Sequence, residues 1–415
     1  MRLQVKNAAF RDYLIVLEKG GSQDKCAFIY LKRKLRDIDA IDSANIPMSA
    51  SRLSPGKQFE DDSIFVTWKN QDDIVANWRD LGKFVIFNTV EGERLTDLFD
   101  SFIERSKEKI TTLANSKLQI QVLRGLEPLT ENLLNAIFIV RAIDKRRASH
   151  SDLLLTSEDE YNATGIIRST KMSFTVPKKA LKKGAKTASY LPKLDIGDVS
   201  DLVIMKDFDG FKTIKDALDT EVDLKNIKQQ SRDRFSHLLF SRRFDFTSPG
   251  TKLLSFFSSE EILAGKAFWV LSFDEVKSKS VCVWLNSSIV FIEALMSLTE
   301  TRGSFIEITK EKLLDFHIPD FTKCDTTYLE NAFEKIRNTE FPPLIEQFEN
   351  PPDARKIIDR AVLRTIGYSE DEIINILPQL YKSLAIELRS WKELMHQTTS
   401  KEKEPVSQLH LFSKE

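Results

Sequence analysis

The sequence predicts an α+β fold, in which an N-terminal β-hairpin precedes a mixed α/β middle and a helical C-terminal region. Tyr13–Leu17 and Cys26–Leu31 are apolar runs rich in β-branched and aromatic residues, and a Gly-Gly turn between them predicts the hairpin. Residues 150 to 275 contain short β-like runs separated by loops. From residue 325 to Met395 the pattern is mostly helical.

The two hairpin strands are apolar without alternation, which is typical of strands that are buried on both faces. Two strands of this kind need a larger sheet around them. The sequence therefore predicts that the rest of the sheet belongs to another polypeptide, and that the hairpin presents an open edge to it.

Further elements follow from hydrophobic spacing. Apolar residues at three- and four-residue steps predict a helix from Arg94 to Ala114, and a largely apolar stretch predicts one long helix from Val281 to Leu298. The predicted strands include Ser63–Trp68, Ile166–Ile167, Ser173–Val176, Asp201–Met205, Ala267–Leu271 and Phe305–Ile308, and the stretch Leu118–Pro128 predicts a strand that leads into a turn at Gly125. A short helix from Lys310 to Phe316 follows, with Thr309 as its cap.

The composition is that of a globular protein, with 41% hydrophobic and 30% charged residues. Lys and Arg number 61 against 62 Asp and Glu, so any signal for a polyanionic partner has to come from local clusters. The three cysteines are far apart, which argues against a disulfide framework and predicts a reduced, cytoplasmic location. Neither a signal peptide nor an apolar run long enough to span a bilayer is visible, so no membrane partner is expected.

The clearest local charge cluster lies between Pro177 and Lys193, where six lysines are interleaved with Gly184, Tyr190 and Pro192. This pattern predicts a mobile basic loop that can follow the phosphates of a nucleic acid. A solvated lysine-rich loop explains the same pattern. Smaller basic clusters occur at 145–147 and 242–243, and each is more often a solvated patch than a ligand site.

Common enzyme sites are not visible in the chain. A Rossmann-type cofactor site needs a glycine-rich turn between a strand and a helix, and the close pair Gly20-Gly21 fits a hairpin turn better. The five histidines show no paired spacing, so no metal site is predicted. The segment Glu307–Lys310 approaches a nuclease spacing, but it is better explained as the end of a strand and the start of a helix.

Three segments together carry a family resemblance: Val281–Ser288 with its Trp-Leu-Asn-Ser run, Thr301–Leu314 with its Arg-Gly turn, and Ile318–Asp320. In this order they resemble the C-terminal part of adenine-specific DNA methyltransferases of the type I and type IIG restriction-modification systems. Ala9–Leu17 is similar to a strand that closes the catalytic sheet of that family, and Cys26–Leu31 to the last strand.

The resemblance implies that cofactor binding and catalysis belong to a different subunit from this chain. The strands that bind S-adenosylmethionine and the Asn-Pro-Pro-aromatic motif that holds a flipped adenine would lie upstream of Met1. The chain does contain Asn350-Pro351-Pro352, but Asp353 follows it, which cannot stack on a base and is better explained as a helix N-cap. No catalytic residue or cofactor site is therefore expected in this chain, and S-adenosylmethionine is expected on a partner subunit.

The resemblance implies double-stranded DNA as one partner and a catalytic methyltransferase subunit, bound at the N-terminal hairpin, as the other. The expected segments are 1–40, a hairpin remnant of the catalytic sheet; 41–115, a linking α/β segment; 116–325, the target recognition domain; 326–398, C-terminal helices; and 399–415, a polar tail. The candidate DNA contacts are Lys178, Lys179, Lys182, Lys183 and Lys186 for phosphates, and Arg242, Arg243 and Arg302 for bases or backbone.

Two other functions stay open at this point. The chain could be an inactive remnant of a methylase that serves as a protein-interaction module through its C-terminal helices. It could also be a stand-alone nuclease whose carboxylates converge only in the fold. Each charged candidate residue could equally be solvated or paired within the chain.

Overall fold

The computed structural model describes residues 25–31, 57–61, 64–76, 87, 89–126, 136–142, 144–198, 201–206, 208–219, 224–297 and 305–396. It confirms the α+β class, with a large mixed sheet and a helical C-terminal region. The predicted strand Tyr13–Leu17 and its glycine turn lie outside the described residues.

The strands in this part of the chain are β1 Lys25–Leu31, β2 Phe59–Glu60, β3 Ile64–Asn70, β4 Ile110–Thr112, β5 Gln121–Arg124, β6 Phe138–Arg141, β7 Leu153–Glu158, β8 Asn162–Ile167, β9 Ser173–Pro177, β10 Leu181–Ala185, β11 Asp201–Ile204, β12 Phe235–Ser241, β13 Arg243–Asp245, β14 Ser255–Ala264, β15 Phe268–Ser272, β16 Phe305–Glu307 and β17 His317–Pro319. The α-helices are α1 Gln71–Ala76, α2 Val90–Ser106, α3 Lys145–Ala148, α4 Asp209–Ala217, α5 Leu224–Ser231, α6 Glu275–Leu285, α7 Ser288–Met296, α8 Lys310–Asp315, α9 Thr327–Ile336, α10 Leu344–Glu349, α11 Asp353–Thr365 and α12 Glu370–His396.

The chain divides into two compact units. The described residues of the first come from Met1–Leu95 and Ser383–Glu415, and those of the second from Thr96–Thr299 and Phe305–Lys382.

In the first unit, three strands form a sheet in the order β1-β3-β2. β1 pairs antiparallel with β3 over its whole length, from Lys25 opposite Asn70 to Leu31 opposite Ile64. The rings of Tyr30 and Phe65 lie 5.4 Å apart in its small core. β1 therefore has a partner inside the chain, on the far side of the expected segment boundary at residue 40, while its predicted hairpin partner lies outside the described residues.

The second unit is built on a ten-stranded sheet with the order β5-β15-β12-β14-β10-β11-β6-β7-β8-β9. Two neighbouring pairs, β10 with β14 and β6 with β7, are parallel, and the others are antiparallel. β12, the third strand in this order, is buried over most of its length, and it contacts β14, β15 and the helix α6. Near the edge, β8 alternates partly exposed with buried residues, which is the pattern of a strand with one solvated face.

The sheet core lies under α4 and α5. Phe211, Ile214 and Ile227 of these helices pack against Phe138 and Val203, all of which are buried. Burial of apolar area of this kind is the main favourable term in folding, and it holds β6 to β11 as one layer.

The predicted long helix from Val281 to Leu298 is wrong in one respect: it is two helices, α6 and α7, bent by 71° at Asn286-Ser287. The Asn286 amide bonds to the backbone of β14, and the Ser287 hydroxyl accepts from the backbone N of Val290, so it caps α7. The Asn286 side chain thus provides hydrogen-bond partners for the backbone at the start of β14, and the Ser287 side chain provides one for a backbone N–H in the first turn of α7. Among the described helices, none is by itself long and apolar enough to cross a membrane, although the bent pair passes that test by length and composition.

The C-terminal region is helical as predicted. Asn350-Pro351-Pro352 connects α10 to α11, which confirms its structural role. Pro352, and not Asp353, occupies the N-cap position, and Asp353 is the first helical residue. An acidic residue in the first turn still interacts favourably with the helix dipole.

Candidate nucleic-acid interface

The lysine-rich segment after Pro177 is ordered structure, and the prediction of a mobile loop is wrong. A single 3-10 turn, Lys178–Ala180, leads directly into β10, which lies between β11 and β14 inside the ten-stranded sheet. Gly184 explains why a lysine-rich strand fits there. A Cβ atom at this position would lie 2.2 Å from Cγ2 of Val203 and 3.2 Å from the backbone O of Leu263. Without a side chain, the backbone of β10 can pack closely between its neighbours.

Two of the five predicted lysines project into solvent. Lys179 precedes β10 and Lys182 lies within it, and both are exposed. Within the described residues neither has an ion-pair or hydrogen-bond partner. These two side chains are the ones in the segment that can reach a phosphate without first breaking a contact.

Two further lysines pair with carboxylates of the chain. Nζ of Lys178 lies 3.6 Å from Glu158, and Nζ of Lys183 lies 3.0 Å from Glu260. Both pairs are partly exposed, so each contributes little to stability and can open at a small energetic cost.

Lys186 differs from the other four because its side chain is buried, with 8% exposed. Its Nζ donates to the backbone O of His150 at 3.3 Å, and its backbone N donates to Asp201 Oδ2 at 3.0 Å. Its burial argues against a role as a freely reaching phosphate contact.

The predicted arginines are placed differently from one another. Arg242 is buried, and it pairs with Glu307 and donates from Nε to the backbone O of Lys266 at 3.0 Å. Arg243 is more exposed and lies 3.6 Å from the same glutamate. These contacts tie β13 to β16 and give both arginines a structural role. Arg302 lies outside the described residues.

The fold joins two basic segments that are separate in the sequence. Nη2 of Arg147, in α3, lies 2.6 Å from Oδ2 of Asp201, the same oxygen that accepts from the backbone N of Lys186. Burial raises the pKa of the Asp201 carboxyl, and the charge of Arg147 opposes that shift. One buried carboxylate therefore holds the 145–147 cluster against the end of the lysine segment.

Tyr190 stands beside this junction with an unusual backbone. Its φ is 65°, in the left-handed region that is costly for a non-glycine residue, by about 1–2 kcal/mol. Its backbone N donates to the backbone O of Gly250 at 2.8 Å, and a Cβ at Gly250 would lie 3.2 Å from its Cζ. The ring stacks with His150 at 6.3 Å between centroids, and the Arg146 guanidinium lies 5.8 Å from the ring centroid.

A small cleft opens next to the tyrosine ring, and we call it the Tyr190 cleft. The side chains that line it include Arg147, His150, Ser151, Lys186, Thr187 and Tyr190. Its volume is about 10 Å³, which is close to the space that one water molecule or one oxygen atom needs.

Charges of both signs act on Lys252, a further basic residue of the second unit. The pKa of Lys252 is lowered, first by burial and also by the charge of Arg146, while the charge of Glu340 acts in the opposite direction. Arg146 and Lys252 therefore interact electrostatically, and the glutamates oppose this effect.

Sequence reasoning identified the 145–147 cluster and Tyr190 but did not connect them. It missed His150 and Ser151 altogether. The available signal was that two basic clusters flank short β-like runs. Contact between them depends on the parallel pairing of β6 with β7 and on the position of β10, neither of which hydrophobic spacing reveals.

Comparisons with known proteins find similarity in structure but not in sequence family. No protein-family model matches the chain, and no curated protein matches it. Among solved structures, the chain is similar to the type IIG restriction endonuclease BpuSI, with a TM-score of 0.49 and 13% sequence identity. The alignment covers 92% of this chain and 41% of BpuSI, so the chain spans less than half of that protein. This is a weak likeness between folds, and it assigns no activity to the chain.

Proposed function

We propose that this chain is a DNA-recognition module of an adenine-specific DNA methyltransferase in a restriction-modification or related defence system. In this proposal a separate subunit binds S-adenosylmethionine and performs the transfer, while this chain holds the duplex so that the adenine can be flipped out. The N-terminal strands are proposed as the contact with the catalytic subunit.

The observation that carries the proposal is the convergence of basic segments in a chain whose net charge is only −1. The side chain of Arg147 and the backbone N of Lys186 both bond to Asp201, and Arg146 lies over the ring of Tyr190. Positive charge concentrated at one place, beside an aromatic ring, is the electrostatic footprint of a nucleic-acid interface.

Two of the segments that carry the sequence resemblance lie against each other in the second unit, because α6 contacts β17. Nε1 of Trp284 in the first segment donates at 2.7 Å to the backbone O of His317, the residue that precedes the second. Trp284 is 1% exposed, so it serves the core and does not stack on a base.

The test is duplex binding by fluorescence anisotropy over a salt series from about 50 to about 200 mM, using a mixed-sequence duplex. The Lys179→Ala/Lys182→Ala double variant removes the two exposed, unpaired lysines. Each phosphate contact contributes about 0.9 to the slope of log K against log salt, so the slope should fall by about 1.8. Over that fourfold change in salt, the variant should lose about 12-fold less affinity than the parent chain.

Lys335→Ala/Lys382→Ala is the matched control, because it removes two exposed lysines from the C-terminal helices. It should leave the slope unchanged. A second arm adds a S-adenosylmethionine-binding subunit from a neighbouring gene, and methyl transfer to adenine should then require both proteins. If the parent chain binds no duplex at the lowest salt, with or without that subunit, the proposal is rejected.

A further inference from the structure

We propose that the Tyr190 cleft is a phosphate-binding site in which one phosphate oxygen bonds to the hydroxyl of Ser151. The inference rests on the proposed function for its source of phosphate, which would be the DNA backbone. The site itself is argued from the groups that line the cleft.

Ser151 is the first of these groups. It is 2% exposed and lines the cleft, yet its hydroxyl has no hydrogen-bond partner within the described residues. A buried hydroxyl without a partner is costly, and native structures usually satisfy it. An oxygen atom that enters the cleft would supply the missing acceptor.

The charge around the cleft favours an anion. Three cationic side chains lie at or beside it, Arg146, Arg147 and Lys186, against two carboxylates. Of these carboxylates, Asp201 is buried against Arg147, and Asp144 lies 3.9 Å from Nε of the same arginine. Arg146 is the exposed cation of the three, and no carboxylate of the described residues is paired with it.

The size of the cleft restricts which ligands can enter it. A volume of about 10 Å³ admits one oxygen atom but neither a base nor a sugar. A phosphate fits this limit, because it can insert one oxygen while its other oxygens stay outside, within reach of the exposed Arg146.

Hydrogen bonds within the chain fix the wall of the cleft before any ligand binds. Tyr190 keeps its left-handed backbone through the hydrogen bond from its N to the O of Gly250, at 2.8 Å. Backbone strain of this kind persists only where surrounding contacts enforce it, and it is common at ligand sites. The Thr187 hydroxyl accepts from the backbone N of Ser189 at 3.0 Å, which fixes the adjoining turn.

The test compares Ser151→Ala with Ser280→Ala. Ser280 of α6 is the matched control, since it is also buried and its hydroxyl also has no partner within the described residues. A hydrogen bond to a charged group is worth roughly a tenfold change in affinity. Ser151→Ala should therefore weaken duplex binding about tenfold at constant salt, and Ser280→Ala should not change it.

A second arm uses inorganic phosphate alone and measures the thermal unfolding midpoint in phosphate against chloride at equal ionic strength. Phosphate should raise the midpoint of the parent chain and of Ser280→Ala, but not that of Ser151→Ala. A phosphate effect that depends on Ser151, without any effect on duplex binding, would assign the site to free phosphate and overturn the DNA backbone as its source.

The two proposals fail separately. If the parent chain binds duplex, and Ser151→Ala changes neither duplex affinity nor the response to phosphate, the phosphate site is refuted while the recognition function stands. If the parent chain binds no duplex but still shows the Ser151-dependent response to phosphate, the recognition function is refuted and the site stands.

Discussion

Replacing Asp201 with alanine should destabilise the second unit strongly, because this residue joins the basic segments at the candidate interface. Asp201 is 2% exposed, and Arg147 is 4% exposed. Their side chains meet at 2.6 Å, and Asp201 also accepts from the backbone N of Lys186 at 3.0 Å. The variant would remove the nearer of the two carboxylates beside the buried guanidinium of Arg147, since Asp144 stays 3.9 Å from Nε, and would remove the acceptor of the backbone N–H of Lys186.

The expected decrease in the free energy of unfolding follows from these two losses. Removing one partner of a buried ion pair costs about 3–5 kcal/mol. An unsatisfied buried donor costs about 1–3 kcal/mol. Because both losses involve the same carboxylate, they are not fully additive, and we expect a combined cost of about 4–6 kcal/mol. That is a large part of the roughly 5–15 kcal/mol by which a folded domain is stable.

Urea unfolding followed by tryptophan fluorescence measures the effect as a shift of the midpoint. Asp198→Ala is the matched control, because Asp198 is 59% exposed and forms a surface pair with Lys193 at 3.0 Å. Its loss should cost at most about 1 kcal/mol. Replacing both partners, as Arg147→Met/Asp201→Leu, should recover the part of the cost that comes from the unpaired guanidinium, since neither member of the buried ion pair remains. If Asp201→Ala costs no more than Asp198→Ala, the buried pair does not have the role assigned to it.

Two further predictions concern the helical part of the second unit. Asn286→Ala should lower the free energy of unfolding in urea by about 2–4 kcal/mol, because the backbone N atoms of Leu254 and Ser255 both donate to its side chain, at 2.8 and 3.1 Å. A decrease below about 1 kcal/mol would mean that the helix break does not depend on this side chain. Burial acts to lower the pKa of His317, but the hydrogen bond and charge of Glu293 outweigh it and raise that pKa. The folded state therefore favours the imidazolium form, and this contribution to stability is complete below the usual histidine pKa of about 6.5 and is lost as pH rises through the raised value. Glu293→Gln should remove this pH dependence of the unfolding midpoint, and an unchanged profile would contradict the assignment.

Several elements with strong local signals were predicted correctly, although the helix predicted from Arg94 to Ala114 ends at Ser106 and Ile110–Thr112 forms β4. The strands around Ser173–Val176 and Asp201–Met205, the short helix after Thr309 and the helical C-terminal region all appear in the structure. The Thr309 side chain accepts from the backbone N of Lys312, as a cap should. Hydrophobic period and capping residues act over a few positions, so the sequence contains the information directly.

Two predictions were wrong because nonlocal contacts outweighed local pattern. The apolar stretch from Val281 to Leu298 has no proline or glycine to break it, and the break at Asn286 depends on hydrogen bonds to β14. The lysine segment looks like a loop by composition, yet β10 lies inside the sheet because Gly184 allows close packing against Val203.

The sequence by itself determined the α+β class, most of the elements and the presence of separate basic clusters. Only the tertiary structure decided which charges stay exposed and which are buried: Lys179 and Lys182 face solvent, whereas Lys186 is enclosed. It also decided that Arg146 and Tyr190, 44 positions apart in the numbering, come to lie side by side. The physical reason is that spacing along the chain reports the local period of a helix or strand, while the pairing of distant strands sets the burial of each side chain and its neighbours.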